Sequence, residues 1–206
     1  MEKVYVIIII AIIIIAFLFL INNLEFFKDP YSLYYEGDVR HFRANLFEAN
    51  KTHVYPNENA IKDVLLNPEV FKIYIAYFPN ETENANYLAS SFEITIKLGI
   101  VYRHYYKGET GTFRDEDGSS CMLFFEDEQI RCFKSLPINS THELVPTPIE
   151  PVIFLLGPSH ANQTAVTVNN SLITLEGKDF SQIDRNYNDL DLAVDKMLLV
   201  LMTSED

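Results

Sequence analysis

The chain has 206 residues, and 48% of them are hydrophobic and 22% charged, a composition that supports a packed core and excludes a largely disordered, collagenous or coiled-coil protein. The 16 Lys and Arg residues against 29 Asp and Glu residues give a net charge of −13, which argues against a nucleic-acid partner because phosphate binding needs clustered cations. The two cysteines are too few for a disulfide scaffold.

Residues 4–21, VYVIIIIAIIIIAFLFLI, form an apolar run of 18 residues without a charge. As a helix this run is about 27 Å long, close to the hydrocarbon thickness of a bilayer. A cleaved signal peptide is the alternative, but its apolar core is shorter and an A-x-A-like cleavage site follows it. We therefore predict a retained single-pass anchor over residues 1–27, a juxtamembrane linker over residues 28–37 and an extracytoplasmic domain over residues 38–206.

The orientation of the anchor depends on the domain, because only Glu2 and Lys3 precede the apolar run and the positive-inside rule has little to act on. N-x-[ST] sequons are acceptors for N-glycosylation outside the cytoplasm. They begin here at Asn50, Asn80, Asn139, Asn162 and Asn169. Together with the acidic surface they favour an N-terminus inside and a domain outside, although Asn and Thr are also ordinary turn residues.

Three patterns follow in the first half of the domain. Residues 38–46 alternate in polarity and predict a half-buried strand. Asn57 precedes apolar residues at helical spacing and is predicted to be the N-cap of a short helix that ends before Pro68. Residues 70–78, VFKIYIAYF, are β-branched and aromatic, which predicts a central strand.

A long helix is predicted after this strand, within NYLASSFEITIKLGI. Its apolar positions recur at spacings of three and four, which is typical of a helix that packs through that face on the strand before it. The residues on this face are Leu88, Phe92, Thr95, Ile96 and Gly99. The β-branched run at residues 94–96 keeps a strand open as the alternative.

Residues 107–120 contain three glycines and an acidic run and predict a solvated loop. The segments CMLFF and IRCF then predict a hairpin. If Glu126 and Asp127 form a two-residue turn, Cys121 faces Cys132 at a distance that suits a disulfide. We predict this bond; a longer turn that shifts the register, or two buried free thiols, are the alternatives.

The last third of the domain predicts one buried strand, one hairpin and one helix. Residues 152–156, VIFLL, are the strand, and TAVTVNNSLITLEG is the hairpin. Residues 189–202 predict a helix capped by Asp189 or Asp191, too short to span a membrane and therefore buried. The fold class is α/β (or α+β), with one mixed-sheet domain, antiparallel hairpins and a buried C-terminal helix after the transmembrane anchor.

Three segments resemble those of a known group of proteins. They are YFPNETEN before the long helix, LLGPSHANQT at the end of the strand 152–156, and EGKDF with DRNYNDLDLAVDKMLLVLM at the end of the chain. This arrangement resembles uncharacterised membrane-anchored proteins of archaea over most of the domain. The resemblance implies a cell-surface location, and it implies no mechanism because those segments carry no known activity.

The motifs GxGxxG, GxxxxGK[ST], GxSxG, HExxH and CxxC are absent from the sequence, which argues against nucleotide-binding and zinc-protease functions. The most site-like segment is the loop 157–162, because ligands bind beyond the carboxyl ends of strands in α/β sheets. Its candidate ligand-binding residues are Ser159, His160 and Asn162. Ser159 and His160 are neighbours in sequence and rarely reach the geometry of proton transfer; a turn with Asn162 as glycan acceptor is the simpler interpretation.

Residues 184–195 resemble a calcium loop, with oxygen-bearing side chains at positions 1, 3, 5 and 12. The candidate ligands are Asp184, Asn186, Asn188 and Asp195. Asp189 stands where the glycine of such loops belongs, so a polar turn with a helix cap is the competing interpretation. We expect no cofactor, and Ca²⁺ is the one ion that this pattern offers.

These observations predict a membrane-anchored binding or assembly module at the cell surface that contacts an envelope component or a membrane protein, and no enzyme. One alternative is a membrane-tethered hydrolase that uses Ser159 with Asp184 or Asp189; the other is a small-ligand receptor at the same loop. A pocket that joins Ser159, a non-adjacent histidine and an acid would favour the hydrolase.

Overall fold

The computed structural model of the chain describes residues 29–107, 109–140, 145–181 and 187–203. The predicted anchor lies outside these residues, as do Asp184 and Asn186 of the predicted calcium loop. In the described part of the chain, no helix is both long and apolar enough to cross a bilayer.

A mixed sheet of eight strands forms the centre of the domain, and a two-stranded sheet lies apart from it. The small sheet consists of β1 (Ser32–Tyr35) and β2 (Asp38–His41). The strands of the large sheet are β3 (His53–Tyr55), β4 (Lys72–Tyr77), β5 (Thr110–Arg114), β6 (Ser120–Phe124), β7 (Gln129–Pro137), β8 (Val152–Leu156), β9 (Ala165–Asn169) and β10 (Leu172–Glu176). Their order is β3-β9-β10-β8-β4-β7-β6-β5. Strands β10, β8, β4 and β7 are parallel, and the hairpins β9-β10, β6-β7 and β5-β6 are antiparallel, which confirms the predicted mixed sheet.

The helices are α1 (Leu46–Ala49), α2 (Glu58–Leu65), α3 (Asn84–Tyr105) and α4 (Asp189–Met202). Every residue of α4 is buried, because this helix packs against the sheet and against the other three helices. The predicted buried C-terminal helix is thus confirmed. Its cap is a different residue: Asn188 Oδ1 accepts from the Asp191 amide at 2.9 Å, and Asp191 Oδ2 accepts from the Asn188 amide at 2.9 Å.

Two further local predictions are confirmed. Asn57 caps α2, and its Oδ1 accepts a hydrogen bond from the Ala60 amide at 3.2 Å. The strand predicted over residues 70–78 is β4, which lies inside the sheet between β8 and β7. Ile73, Ile75 and Ala76 of this strand are fully buried, as the continuous apolar sequence requires of a strand covered on both sides.

The hairpin of the two cysteines is also confirmed. Strands β6 and β7 place Cys121 opposite Cys132, and the two sulfur atoms form a disulfide with an S–S distance of 2.08 Å. The connection comprises residues 125–128, yet the pairing is that of the predicted two-residue turn. Asp115 lies close to both sulfurs, but sulfurs bonded to each other are not thiolate ligands for a metal.

Three boundaries were predicted wrongly. β1 lies in the predicted linker 28–37, and β5 lies in the predicted loop 107–120. Both strands pair with the strand that follows them, so partners outside the segment stabilise residues whose own pattern is weak. The strand predicted over residues 38–46 ends at His41, because the backbone then turns inward and the Ala44 amide donates to Asp195 Oδ2 at 2.6 Å.

The helix predicted over residues 86–100 exists, but most of its predicted packing face points outward. Leu88, Phe92 and Ile96 are 54%, 69% and 46% exposed. The sheet is instead covered by a second apolar face, which includes Tyr87, Ile94, Leu98, Val101 and Tyr102. Two long-range hydrogen bonds fix which face of the helix packs on the sheet. The Tyr87 hydroxyl accepts from the Gly157 amide at 2.8 Å, and the Tyr102 hydroxyl donates to the Leu65 carbonyl at 2.6 Å.

Candidate functional site

The outward side of α3 exposes apolar residues to solvent. Between residues 84 and 102, the exposed positions of this helix are all apolar. They are Ala85, Leu88, Phe92 and Ile96, which we call the α3 outer face. The opposite side of the same helix buries four polar residues, Ser90, Ser91, Glu93 and Lys97. This arrangement inverts the usual pattern of a surface helix, in which charged residues face solvent.

Glu93 and Lys97 are inside because they belong to a buried charge cluster between α3, α4 and the segment after β2. Lys97 donates a short hydrogen bond to Glu93, and its Nζ lies 3.6 Å from the centroid of the Phe42 ring. Arg43 Nη1 lies 2.8 Å from Asp191 Oδ1. A buried charge is tolerated where it is paired in this way, so the cluster joins the segment after β2 to the core.

Asp195 completes this cluster as its third carboxylate. Burial raises the pKa of Asp195 well above its ordinary value, and the nearby Glu93 carboxylate raises it further. Burial also raises the pKa of Asp191. Three carboxylates share the site with the two cations Arg43 and Lys97, so one bound proton makes the cluster neutral.

The loop 157–162 follows β8 at the carboxyl edge of the parallel strands, where the chain also leaves β4. Ser159 Oγ donates to Glu83 Oε1 at 2.6 Å and accepts from Asn80 Nδ2 at 2.9 Å. The Ser159 amide donates to the same glutamate oxygen at 3.0 Å. Ser159 is therefore held by the segment after β4, and Glu83 is a residue of this site that no sequence motif marks. Its signal was its place in NETEN, directly after a predicted central strand.

Glu83 is a weak base for Ser159. Burial by itself raises the pKa of this carboxyl, but hydrogen bonds from Ser159 and Tyr87 outweigh burial and hold the pKa below its ordinary value. A general base needs a pKa near the operating pH. His160 lies over Phe78, with ring centroids 4.9 Å apart, and the described hydrogen bonds of Ser159 Oγ involve no histidine.

Gly157 is required at this edge because the site is tightly packed. A Cβ atom on Gly157 would lie 2.6 Å from Glu83 Oε2, 2.7 Å from the Tyr87 hydroxyl and 2.8 Å from the Phe180 ring. Side chains never approach one another this closely without a shift. The side chains of Glu83, Tyr87 and Phe180 thus fill the space beside Gly157 in this loop.

The described half of the predicted calcium set consists of Asn188 and Asp195, and the structure does not bring them together. Asn188 caps α4, whereas Asp195 lies within this helix and accepts from the Ala44 amide. Both side chains thus have structural partners, and calcium binding stays a prediction.

The predicted glycan acceptors differ in their surroundings. Asn139, Asn162 and Asn169 are exposed. Asn50 is exposed as well, but its Oδ1 accepts from Lys196 Nζ at 2.9 Å. Asn80 is half-buried and bonded to Ser159. Four of the five predicted acceptors are therefore exposed, and Asn80 is the half-buried one.

Comparison of the chain with models of protein families, with curated proteins and with solved structures finds no match.

Proposed function

We propose that the protein is a membrane-anchored binding or assembly module outside the cytoplasm, and that its α3 outer face contacts another membrane or envelope protein. The observation that carries this proposal is the inverted polarity of α3, which exposes Leu88, Phe92 and Ile96 while it buries Glu93 and Lys97. Contiguous apolar surface on a protein with a net charge of −13 is typical of an interaction site.

The geometry of this face suits a protein partner. Leu88, Phe92 and Ile96 are spaced by four residues and form one stripe, the pattern of anchors by which a helix lies in an apolar groove. Burying one such side chain fully contributes about 1.5–3 kcal/mol. Since about half of each side chain is still exposed, a partner that covers all three gains on the order of 3 kcal/mol from this stripe alone.

The location outside the cytoplasm rests on three observations. The apolar run 4–21 is long enough to span a bilayer. The Cys121–Cys132 disulfide is typical of an oxidising compartment. Asn139, Asn162 and Asn169 are exposed glycan acceptors.

Site-specific photo-cross-linking of the full chain in its own membranes tests the proposal. A photoreactive phenylalanine analogue is placed at Phe92 and, as the matched control, at Phe113, which is 45% exposed on β5. We expect one discrete protein adduct from position 92 and none from position 113. An adduct of twice the chain's mass would identify self-association instead, and equal labelling from both positions would overturn the proposal.

The alternative functions at the loop 157–162 find less support. Ser159 is hydrogen-bonded to Glu83, a carboxylate whose pKa is lowered. The space beside Gly157 is filled by the side chains of Glu83, Tyr87 and Phe180. We expect no hydrolase activity. Turnover of an ester, peptide or glycoside that disappears in Ser159→Ala would establish the tethered hydrolase.

A further inference from the structure

A second site lies where the hairpin β1-β2 meets the end of α3. A cavity of about 620 Å³ is lined there by Glu36, Arg40, Ile100, Arg103, His104 and Lys107; we call it the hairpin pocket. Three permanent cations thus face one carboxylate in a protein whose overall charge is −13. That carboxylate is already engaged, since Glu36 Oε1 lies 2.8 Å from His104 Nδ1.

Two of the three cations of the hairpin pocket lack the ion pairs that several other cations of the described domain form. Lys72, Lys134 and Lys196 each lie within 3.4 Å of a carboxylate oxygen. Among the residues that the structure describes, no carboxylate forms an ion pair with Arg103 or Lys107, and both are exposed.

Arg40 supplies an unsatisfied donor. Its Nη1 pairs with Asp38 at 3.2 Å, but its Nε is buried and has no hydrogen-bond partner in the described part of the chain. Buried N–H groups normally find an acceptor. The negative end of α3 favours a cation such as Arg103 near it, but Arg40 comes from a different element. With Glu36 in the lining and Asp38 paired to Arg40, the three cations leave an excess of one positive charge.

The pocket lies at the end of the domain where the chain arrives from the predicted anchor. Helix α3 starts beside Gly157, at the carboxyl edge of β8, and ends beside Leu65, which precedes β4; the pocket is therefore at the amino edge of the parallel strands. Asp29 lies at the same edge, in a cavity shared with Leu199 and Thr203 at the end of α4. Seven residues lie between Ile21 and Asp29, so eight Cα–Cα steps give a reach of at most about 28 Å.

We propose that the hairpin pocket binds a phosphate monoester, and that the phosphate belongs to a lipid headgroup of the membrane that holds the anchor. A phosphate monoester carries nearly two negative charges, and the excess of one positive charge at the pocket attracts it. Arg40 and Arg103 offer planar donors and Lys107 an ammonium group, the donors that phosphate oxygens prefer. Basic residues close to a bilayer attract anionic headgroups. The lipid source rests on the anchor of the proposed function, whereas the pocket itself does not.

Titration calorimetry of the full chain in a non-ionic detergent, with glycerol 3-phosphate at constant ionic strength, tests the pocket. We expect saturable binding that weakens by at least about tenfold in Arg103→Gln/Lys107→Gln, which removes two charged contacts. The matched control is Arg114→Gln/Lys178→Gln, which removes the same charges from exposed positions elsewhere and should bind as the wild type does. Absence of binding to the wild type, or an equal loss in both variants, overturns the site.

Hydrogen exchange in neutral lipid discs, with and without phosphatidic acid, tests the lipid source. Phosphatidic acid should slow exchange around residues 36–40 and 100–107 in the wild type and leave the pocket variant unchanged. Binding of glycerol 3-phosphate without this protection overturns the lipid source and assigns a soluble phosphate ester. Cross-linking from Phe92 should persist in the pocket variant, so failure of one proposal is distinguishable from failure of the other.

Discussion

The buried charge cluster makes a quantitative prediction about pH. Asp195 has a pKa well above its ordinary value of 3.8. At pH values between 3.8 and the folded-state pKa, the folded domain therefore binds about one proton more than the unfolded chain. The contribution of Asp195 to stability is fully present below about pH 4 and is lost as the pH rises toward the folded-state pKa. One proton corresponds to a slope of about 1.4 kcal/mol per pH unit in the free energy of unfolding.

Asp195→Asn removes this slope. The amide has nearly the same shape, stays neutral, and its Oδ can still accept from the Ala44 amide. The difference in the free energy of unfolding, wild type minus variant, should therefore fall as the pH rises above 4, by up to about 1.4 kcal/mol per pH unit, and should level off above the folded-state pKa of Asp195. Glu93→Gln should narrow the pH range of this slope without abolishing it, because burial, the larger cause of the raised pKa of Asp195, remains.

Urea unfolding of residues 29–206 at several values between pH 4 and pH 7 measures this difference. Asp38→Asn is the control, because it removes a carboxylate whose side chain is 65% exposed. A difference between wild type and Asp195→Asn that stays constant over this range would refute the reasoning, because it would mean that the cluster folds without a proton.

Three further predictions concern single contacts. Gly157→Ala should destabilise the domain by about 1–3 kcal/mol, because the new methyl group meets Glu83 at 2.6 Å; an unchanged melting temperature would contradict the packing described here. Asn57→Ala should cost about 1 kcal/mol in the same assay through loss of the α2 cap, and a cost near zero would show that the cap is dispensable. Alkylation without reductant should leave the intact mass of the protein unchanged, because Cys121 and Cys132 form a disulfide. Two added alkyl groups would exclude the disulfide.

Local patterns in the sequence predicted most of the elements that bury a continuous apolar run. The strand β4, the Asn57 cap, the β9-β10 hairpin and the buried α4 each follow from residues within one segment. The disulfide could also be predicted, because the register of the hairpin places Cys121 opposite Cys132. The edge strands β1 and β5 were missed because their stability comes from pairing with a neighbour, which a short mixed segment does not reveal.

The candidate sites could be predicted from the sequence only in part. The sequence indicated the loop 157–162, yet the partner of Ser159 is Glu83, which lies 76 positions earlier. The hairpin pocket combines Arg40 with Arg103 and Lys107, residues that no motif joins. Side chains from distant segments meet only when the sheet is assembled, and spacing along the chain carries no information about that distance.

The sequence by itself favoured a helix for α3 over a strand, and it determined that Leu88, Phe92 and Ile96 share one face of that helix, because a helix repeats every 3.6 residues. Only the tertiary structure decided which face is buried. Helix α3 carries two apolar stripes, and the stripe with Tyr87 and Tyr102 packs on the sheet because these side chains bond to Gly157 and Leu65. The charges of Glu93 and Lys97 are then carried inside, where Arg43, Asp191 and Asp195 compensate them, and the apolar stripe of α3 remains at the surface.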